Sequence, residues 1–323
     1  MSTNTGNKTV GRGIIVRTRN FDLGDARIKG FDPQLGDRVL RLTDGRRLCY
    51  RVCGAPDGMP IIALHGTPGS RLKFSLAGAS AAQRGLRLIS PDRWSYGGSD
   101  APDRAAGLGD YAADIAALAD ELQIDRISLV GLSGGGPYAV AAAALLGRRV
   151  DRLALIAPVS PLASPGDLAG VGLFHRFCFR GLPLLPGGST LAFTVLRLAL
   201  ALSPDAAVKL VSARAGRPDR QVLATREVRR SLAETFSAGL ASGVDGARID
   251  MRLFARRWGV DPATITAHSC LWIGTRDRNV PQAAALRLAA QIPTCTLEQP
   301  EGAGHFWVLT AFEDVLDWLA GKR

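Results

Sequence analysis

From about residue 36 onward, short apolar runs recur along the chain, centred on Ile61, Leu88, Ile127, Leu153, Leu271 and Thr296, and alternate with longer stretches of helical spacing. Short apolar runs bounded by turn residues read as buried strands. Strand and helix in alternation imply a mostly parallel sheet with helices on both faces, an α/β architecture. Ahead of them, Val39 to Leu42 and Arg47 to Arg51 flank Asp44-Gly45, which predicts a hairpin. Residues 1–35 are basic and weakly periodic and read as an N-terminal extension whose order the pattern leaves open. The alternation lapses between Pro161 and about Thr264, where prolines and glycines separate apolar helical pieces such as Leu191 to Leu202. The expected division is therefore a core over 36–160 and 265–323, with a mainly helical insertion over 161–264. No fixed-period repeat interrupts this division.

One junction in the pattern carries chemistry. The strand Ile127 to Val130 runs into Gly131-Leu132-Ser133-Gly134-Gly135, and an alanine-rich helix from Tyr138 to Leu146 leaves it. A sharp strand-to-helix turn needs room that Gly131 and Gly135 provide, so Ser133 would present its hydroxyl above the sheet, near the helix's first amides. A serine hydroxyl needs a base to become nucleophilic. The chain has four histidines. His305 lies in a glycine-flanked loop, Glu301-Gly302-Ala303-Gly304-His305-Phe306, and is free to swing over the sheet edge. His65, in Leu64-His65-Gly66-Thr67-Pro68-Gly69, reads as loop-shaping and as a candidate pocket residue. His175 sits in an apolar stretch and His268 precedes a strand, so both read as packed or solvated. The carboxylate that would orient the imidazole is Asp277, in the loop after the strand Ser269 to Ile273, with Asp92 as its rival.

Serine, aspartate and histidine then occur in the order Ser133, Asp277, His305. With that order, the elbow and the two loops, the chain resembles the α/β-hydrolase-fold superfamily from about Asp44 onward. The resemblance implies a serine nucleophile, a cap inserted after the sixth strand, and an oxyanion hole from the backbone amides of Thr67 and Gly134. Pro91-Asp92-Arg93-Trp94-Ser95-Tyr96-Gly97-Gly98-Ser99 is similar to the family's D-x-P-G-x-G-x-S turn but has Trp94-Ser95 in place of Pro-Gly. It implies hydrolysis of a carboxylic ester or related acyl compound without a cofactor or metal. Amidase, lactonase, carbon-carbon hydrolase and perhydrolase reactions use the same triad, and a ligand-binding receptor on this scaffold is the alternative of a different class. In the 161–264 segment, Phe174, Phe177 and Phe193 are candidate pocket residues, unless they form the cap's own core. Arg176, Arg180 and Arg197 are candidates for a substrate carboxylate.

Composition narrows the partners. The net charge of +11 rests on 40 basic residues of which five are lysines, and the arginines are scattered without interleaved aromatics or a nucleic-acid motif. A small-molecule acyl substrate is expected, and no nucleic acid. The five cysteines are odd in number and widely spaced, so neither a disulfide framework nor a metal site is expected. Met1 to Val10 lacks an apolar signal core, which argues for a cytoplasmic location. The uncharged run Ile127 to Gly147 is long enough to span a bilayer, yet Gly134-Gly135-Gly136-Pro137 breaks it, so no integral membrane segment is expected.

Overall fold

Strands flanked by helices on both faces must be apolar on both faces, and the central strands meet this requirement. Ile127–Leu132 is buried at every position, and Met59–Leu64 and Val150–Ile156 each end in four buried residues. The computed structural model describes residues 6–9, 15–20, 37–103, 105–162, 168, 173–182, 185–212 and 215–322. Among the described residues, ten strands form one sheet: β1 (Gly6–Thr9), β2 (Ile15–Asn20), β3 (Asp37–Arg41), β4 (Arg47–Gly54), β5 (Met59–Leu64), β6 (Leu86–Pro91), β7 (Ile127–Leu132), β8 (Val150–Ile156), β9 (His268–Trp272) and β10 (Cys295–Glu301). Their order is β1-β2-β10-β9-β8-β7-β5-β6-β4-β3. The six pairings from β2 through β10, β9, β8, β7, β5 to β6 are parallel, and the edge pairings β1–β2, β6–β4 and β4–β3 are antiparallel.

The hairpin read around Asp44-Gly45 is β3–β4, closed by a turn in which Gly45 has φ +87°. Within residues 1–35, β1 and β2 pair with each other and add to the sheet beside β10. On one face of the sheet pack α2 (Leu108–Glu121), α3 (Gly136–Leu146) and α9 (Gln282–Gln291), through residues such as Ile115, Leu118, Val140 and Leu288. On the other pack α1 (Gly78–Ala82) and α10 (Val308–Leu319), through Ala81, Val315, Leu316 and Leu319. Each such leucine or isoleucine contributes about 1.5–3 kcal/mol on burial. Helix α3 is buried from Gly136 through Ala143, and its small side chains let it lie against α2, β7 and β8.

Between β8 and β9 the chain leaves the sheet. After a short turn at Leu173–Arg176 and Phe177–Gly181 it forms α4 (Gly188–Leu202), α5 (Pro204–Ser212), α6 (Arg217–Val222), α7 (Arg226–Gly239) and α8 (Asp245–Phe254). Val228, Leu232 and Phe236 recur every fourth residue along α7 and join Leu200, Val208 and Leu223 in a separate apolar cluster. Tyr96, from the loop after β6, belongs to that same cluster. Met251, Leu253 and Phe254 at the end of α8 instead join the core beneath the sheet's α3 face, which fastens the insertion to the core.

Candidate active site

β7 delivers its last residue, Leu132, into a turn in which Ser133 takes φ +50°. A side chain rarely adopts this left-handed region, and its use here aims the hydroxyl away from both strand and helix. The turn is closed by contact: a Cβ at Gly131 would stand 2.7 Å from the Ala139 Cβ, and one at Gly135 would stand 2.3 Å from the Leu64 carbonyl oxygen. The loop after β10 brings His305 to within 3.2 Å of Ser133 Oγ through Nε2, and its Nδ1 lies 2.8 Å from Asp277 Oδ2. The second Asp277 oxygen accepts the amides of Asn279 (2.8 Å) and Val280 (3.1 Å), which fixes the carboxylate toward the ring. Burial disfavours the protonated imidazole, but the charge and hydrogen bond of Asp277 outweigh it, aided by the charge of Asp219, and raise the His305 pKa.

Asp92, the other acid considered, is turned elsewhere. It is fully buried and accepts the Arg71 amide and guanidinium, each at 2.6 Å, and the Gly98 amide at 3.1 Å. Burial raises its pKa although these partners oppose the shift. The Trp94-Ser95 departure keeps a tight loop: Ser95 has φ +58°, and the buried Trp94 ring donates to Asp114 Oδ2 at 2.6 Å.

Thr67 and Gly134 adjoin beside Ser133, since a Cβ on Gly134 would strike Thr67 Oγ1. The Thr67 side chain, which carried no weight in the sequence, donates to Asp250 Oδ2 from α8. Asp250 also receives Arg93 Nη1 on Oδ1, Tyr138 Oη on Oδ1 at 2.6 Å and Tyr96 Oη on Oδ2 at 2.7 Å. Arg93 reaches back to the carbonyls of His65 (3.1 Å) and Gly66 (3.0 Å). Burial above all, with the adjacent Asp250 charge, pushes both tyrosine hydroxyls well up, so they stay donors. One carboxylate thus gathers the insertion, the elbow helix and the Gly66-Thr67 loop.

His65 is not a pocket residue. It is wholly buried behind that loop, with Nε2 accepting the Arg93 amide at 3.0 Å and Nδ1 donating to the Gly66 carbonyl at 2.8 Å. Burial and the Arg93 charge hold it neutral, well below its ordinary pKa. Asp219, on α6, went unnoticed in the sequence because Arg217-Pro218-Asp219 reads as an ordinary helix start. Its Oδ1 accepts the Phe306 amide at 2.8 Å, and a Cβ on Gly304 would stand 2.3 Å from that same oxygen, so it braces the His305 loop.

Above Ser133 lies a cavity of about 250 Å³, walled from below by Gly66, Thr67 and Pro68 and from above by Phe193, Leu196, Leu232, Phe236, Met251 and Phe254. Phe193, a candidate pocket residue, lines this cavity from α4. Phe177 is 47% exposed and absent from the wall, although its neighbour Cys178 in the same turn lines it, so the Phe177 ring faces outward. The Phe174 and Arg180 side chains lie outside the described residues. Arg176 and Arg197 bond to the Leu168 and Ala241 carbonyls and do not line the cavity. The four-residue spacing of Leu232 and Phe236 was the available signal for the part of the wall that α7 supplies. Among the described residues no helix is long and apolar enough to cross a membrane.

Comparison with known proteins bears on the fold. A "Non-heme chloroperoxidase" of Streptomyces lividans is 33% identical over 136 residues, 42% of this chain and 49% of that protein, so the match spans about half of the relative's length. An uncharacterized protein of Mycobacterium tuberculosis is 28% identical over 282 residues, 83% of this chain and 75% of that protein. The solved structure of an alpha/beta hydrolase fold protein from Nakamurella multipartita superposes with a TM-score of 0.66 at 26% identity, covering 88% of this chain and 98% of that one. The profile of the Alpha/beta hydrolase family matches residues 61–318, and with the sheet order and the elbow this makes the chain a member of that family.

Proposed function

We propose that the protein cleaves a carboxylic ester, or a related acyl compound, through an acyl-serine intermediate. The observation that carries this reading is the continuous chain from Ser133 Oγ through His305 to Asp277. In the first half-reaction Ser133 Oγ attacks the acyl carbon while His305 Nε2 takes the hydroxyl proton. The Thr67 and Gly134 amides receive the oxyanion, each such donor contributing about 3 kcal/mol in comparable sites. Collapse expels the alcohol, which leaves with the proton held by His305. In the second half His305 deprotonates a water that attacks the acyl-serine, releasing the acid and restoring Ser133. The helical insertion over 161–264 acts as the cap that selects the substrate, as its share of the cavity wall supports. At about 250 Å³ the cavity lies just below the usual range of small-molecule pockets, which favours small acyl groups.

Fluorophosphonate labelling of Ser133, with turnover of 4-nitrophenyl esters of graded acyl length, tests the reading. Labelling without turnover of any ester, amide or lactone would favour a receptor. A second reading is favoured by the name of the chloroperoxidase relative: hydrogen peroxide in place of water would convert the acyl-serine to a peracid. Peracid formation from a turned-over ester, measured with added peroxide, separates the two.

A further inference from the structure

The cavity wall is largely apolar; away from Ser133 and His305 its polar members are uncharged, Thr67, Thr235 on α7, Asn279 and Cys178, except for one cation. Lys73, in the turn Arg71–Ala77 that follows the Gly66–Gly69 loop, lines the cavity together with Ser133 and His305. Two residues earlier, Arg71 is held by Asp37 and Asp92. Lys73 has no counterpart to these: its ammonium makes no ion pair with any described residue. The carboxylates that bond to the catalytic and cavity residues face groups other than Lys73, Asp277 toward His305, Asp250 toward Thr67 and Arg93, and Asp219 through Oδ1 toward the Phe306 amide. Nor is Lys73 the base, because His305 holds the hydrogen bond to Ser133 Oγ.

A cation facing an apolar cavity without a counter-ion is expensive. Burial accordingly lowers the Lys73 pKa to about 8, so the ammonium still predominates near neutrality. Its charge also disfavours the protonated forms of His65 and His305. With the cavity unoccupied by an anion, Lys73 therefore opposes the imidazolium that His305 must become when Ser133 attacks. An anionic group on the substrate removes that opposition as it binds. We infer that Lys73 is an anion-binding subsite of the acyl pocket, and that the substrate is a small ester or lactone bearing a carboxylate in the part buried beside Ser133. The inference rests on the hydrolase reading for its reaction, though not for its binding site.

The test compares kcat/KM for 4-nitrophenyl hemiglutarate with that for 4-nitrophenyl 5-methylhexanoate, whose acyl chain has the same shape without charge. The wild-type protein is expected to prefer the hemiglutarate. Lys73→Met should reduce the ratio roughly ten-fold or more, the scale of one hydrogen bond to a charged group, and Lys73→Arg should retain part of it. Melting temperature and fluorophosphonate labelling establish that the variants are folded with Ser133 accessible. A ratio unchanged in Lys73→Met, or a wild-type preference for the neutral ester, overturns the subsite while leaving the hydrolase reading intact. If the wild-type protein turns over neither ester, the hydrolase reading is the one that fails. Calorimetric titration of Ser133→Ala with glutarate, with and without Lys73→Met, then decides: binding that needs Lys73 upholds the subsite, and its absence rejects it.

Discussion

Arg93 and Asp250 form an ion pair sealed from solvent, with Arg93 0% and Asp250 1% exposed, and it joins the loop after β6 to helix α8 of the insertion. A buried pair adds little net stability over an apolar pair, yet removing one partner strands the other. Here the stranded partner would be a guanidinium that also supports the His65 and Gly66 carbonyls. Asp250→Ala is expected to lower the unfolding free energy by about 3–5 kcal/mol, read from denaturant midpoints. It should also slow fluorophosphonate labelling of Ser133, because Thr67 loses its acceptor and keeps only the Arg93 guanidinium as a partner. A variant as stable as the parent would mean that the pair does not hold the insertion down.

In the proposed reaction Ser133 and His305 act on one proton, so their losses should not add. Ser133→Ala and His305→Ala are each expected to lower kcat by several orders of magnitude, with the double variant hardly worse than either. Circular dichroism should be unchanged, because both side chains sit at the cavity floor and not within the sheet core. Multiplicative losses in the double variant would contradict a shared role.

The two aspartates considered for the acid separate cleanly in their expected effects. Asp277→Asn should reduce kcat by roughly 10⁴-fold, the scale found where the amide favours the wrong imidazole tautomer. Asp92→Asn should act on stability, because it weakens the grip on Arg71 and on the Gly98 amide. Measured kcat and melting temperature for both variants decide. Activity lost in Asp92→Asn at wild-type stability would move the acid to the β6 loop.

These contrasts also mark what was legible in the sequence. The juxtaposition of Ser133, His305 and Asp277 could be read because each follows an apolar strand, where a parallel sheet exposes its loops, and because their chain order fits this scaffold. The hairpin at Gly45 and the site of the insertion were legible for the same local reasons. Asp250 and Asp219 were not. Each sits in a helix where an aspartate between arginines reads as a solvated face, and only the packing of the insertion onto the core buries it. Phe177 was misread because apolar composition locates an insertion without telling which of its faces turns inward.

The pH dependence follows from the direction of the His305 shift. His305 must be neutral to accept the Ser133 proton, and Asp277 and Asp219 hold its pKa above the ordinary 6.5. For a neutral ester, kcat/KM should therefore be low in acid and rise with pH through an apparent pKa above 6.5. Removing the negative charge in Asp277→Asn should shift that rise to lower pH in whatever activity remains. A rise centred below 6.5 in the wild-type protein would indicate that burial, and not Asp277, dominates the imidazole.

Selection of the acyl group should reside in the wall that α4, α7 and α8 provide. Phe236 and Phe254 line the cavity with Phe193, whereas Phe177 is half-exposed away from it. Truncating a wall residue enlarges the space available to an acyl chain, and one methylene fitted into such a pocket is worth about 1–3 kcal/mol in kcat/KM. Phe236→Ala and Phe193→Ala are therefore expected to shift the preferred acyl length upward by one or more methylenes, while Phe177→Ala leaves the length profile where it was. Phe254 also packs in the main core, so Phe254→Ala should combine the longer preference with a loss of about 3–5 kcal/mol of stability. Rates for three acyl lengths, together with melting temperatures, distinguish wall from core. An unaltered profile in Phe236→Ala and Phe193→Ala would remove the insertion from substrate selection and leave these rings as packing for its own helices.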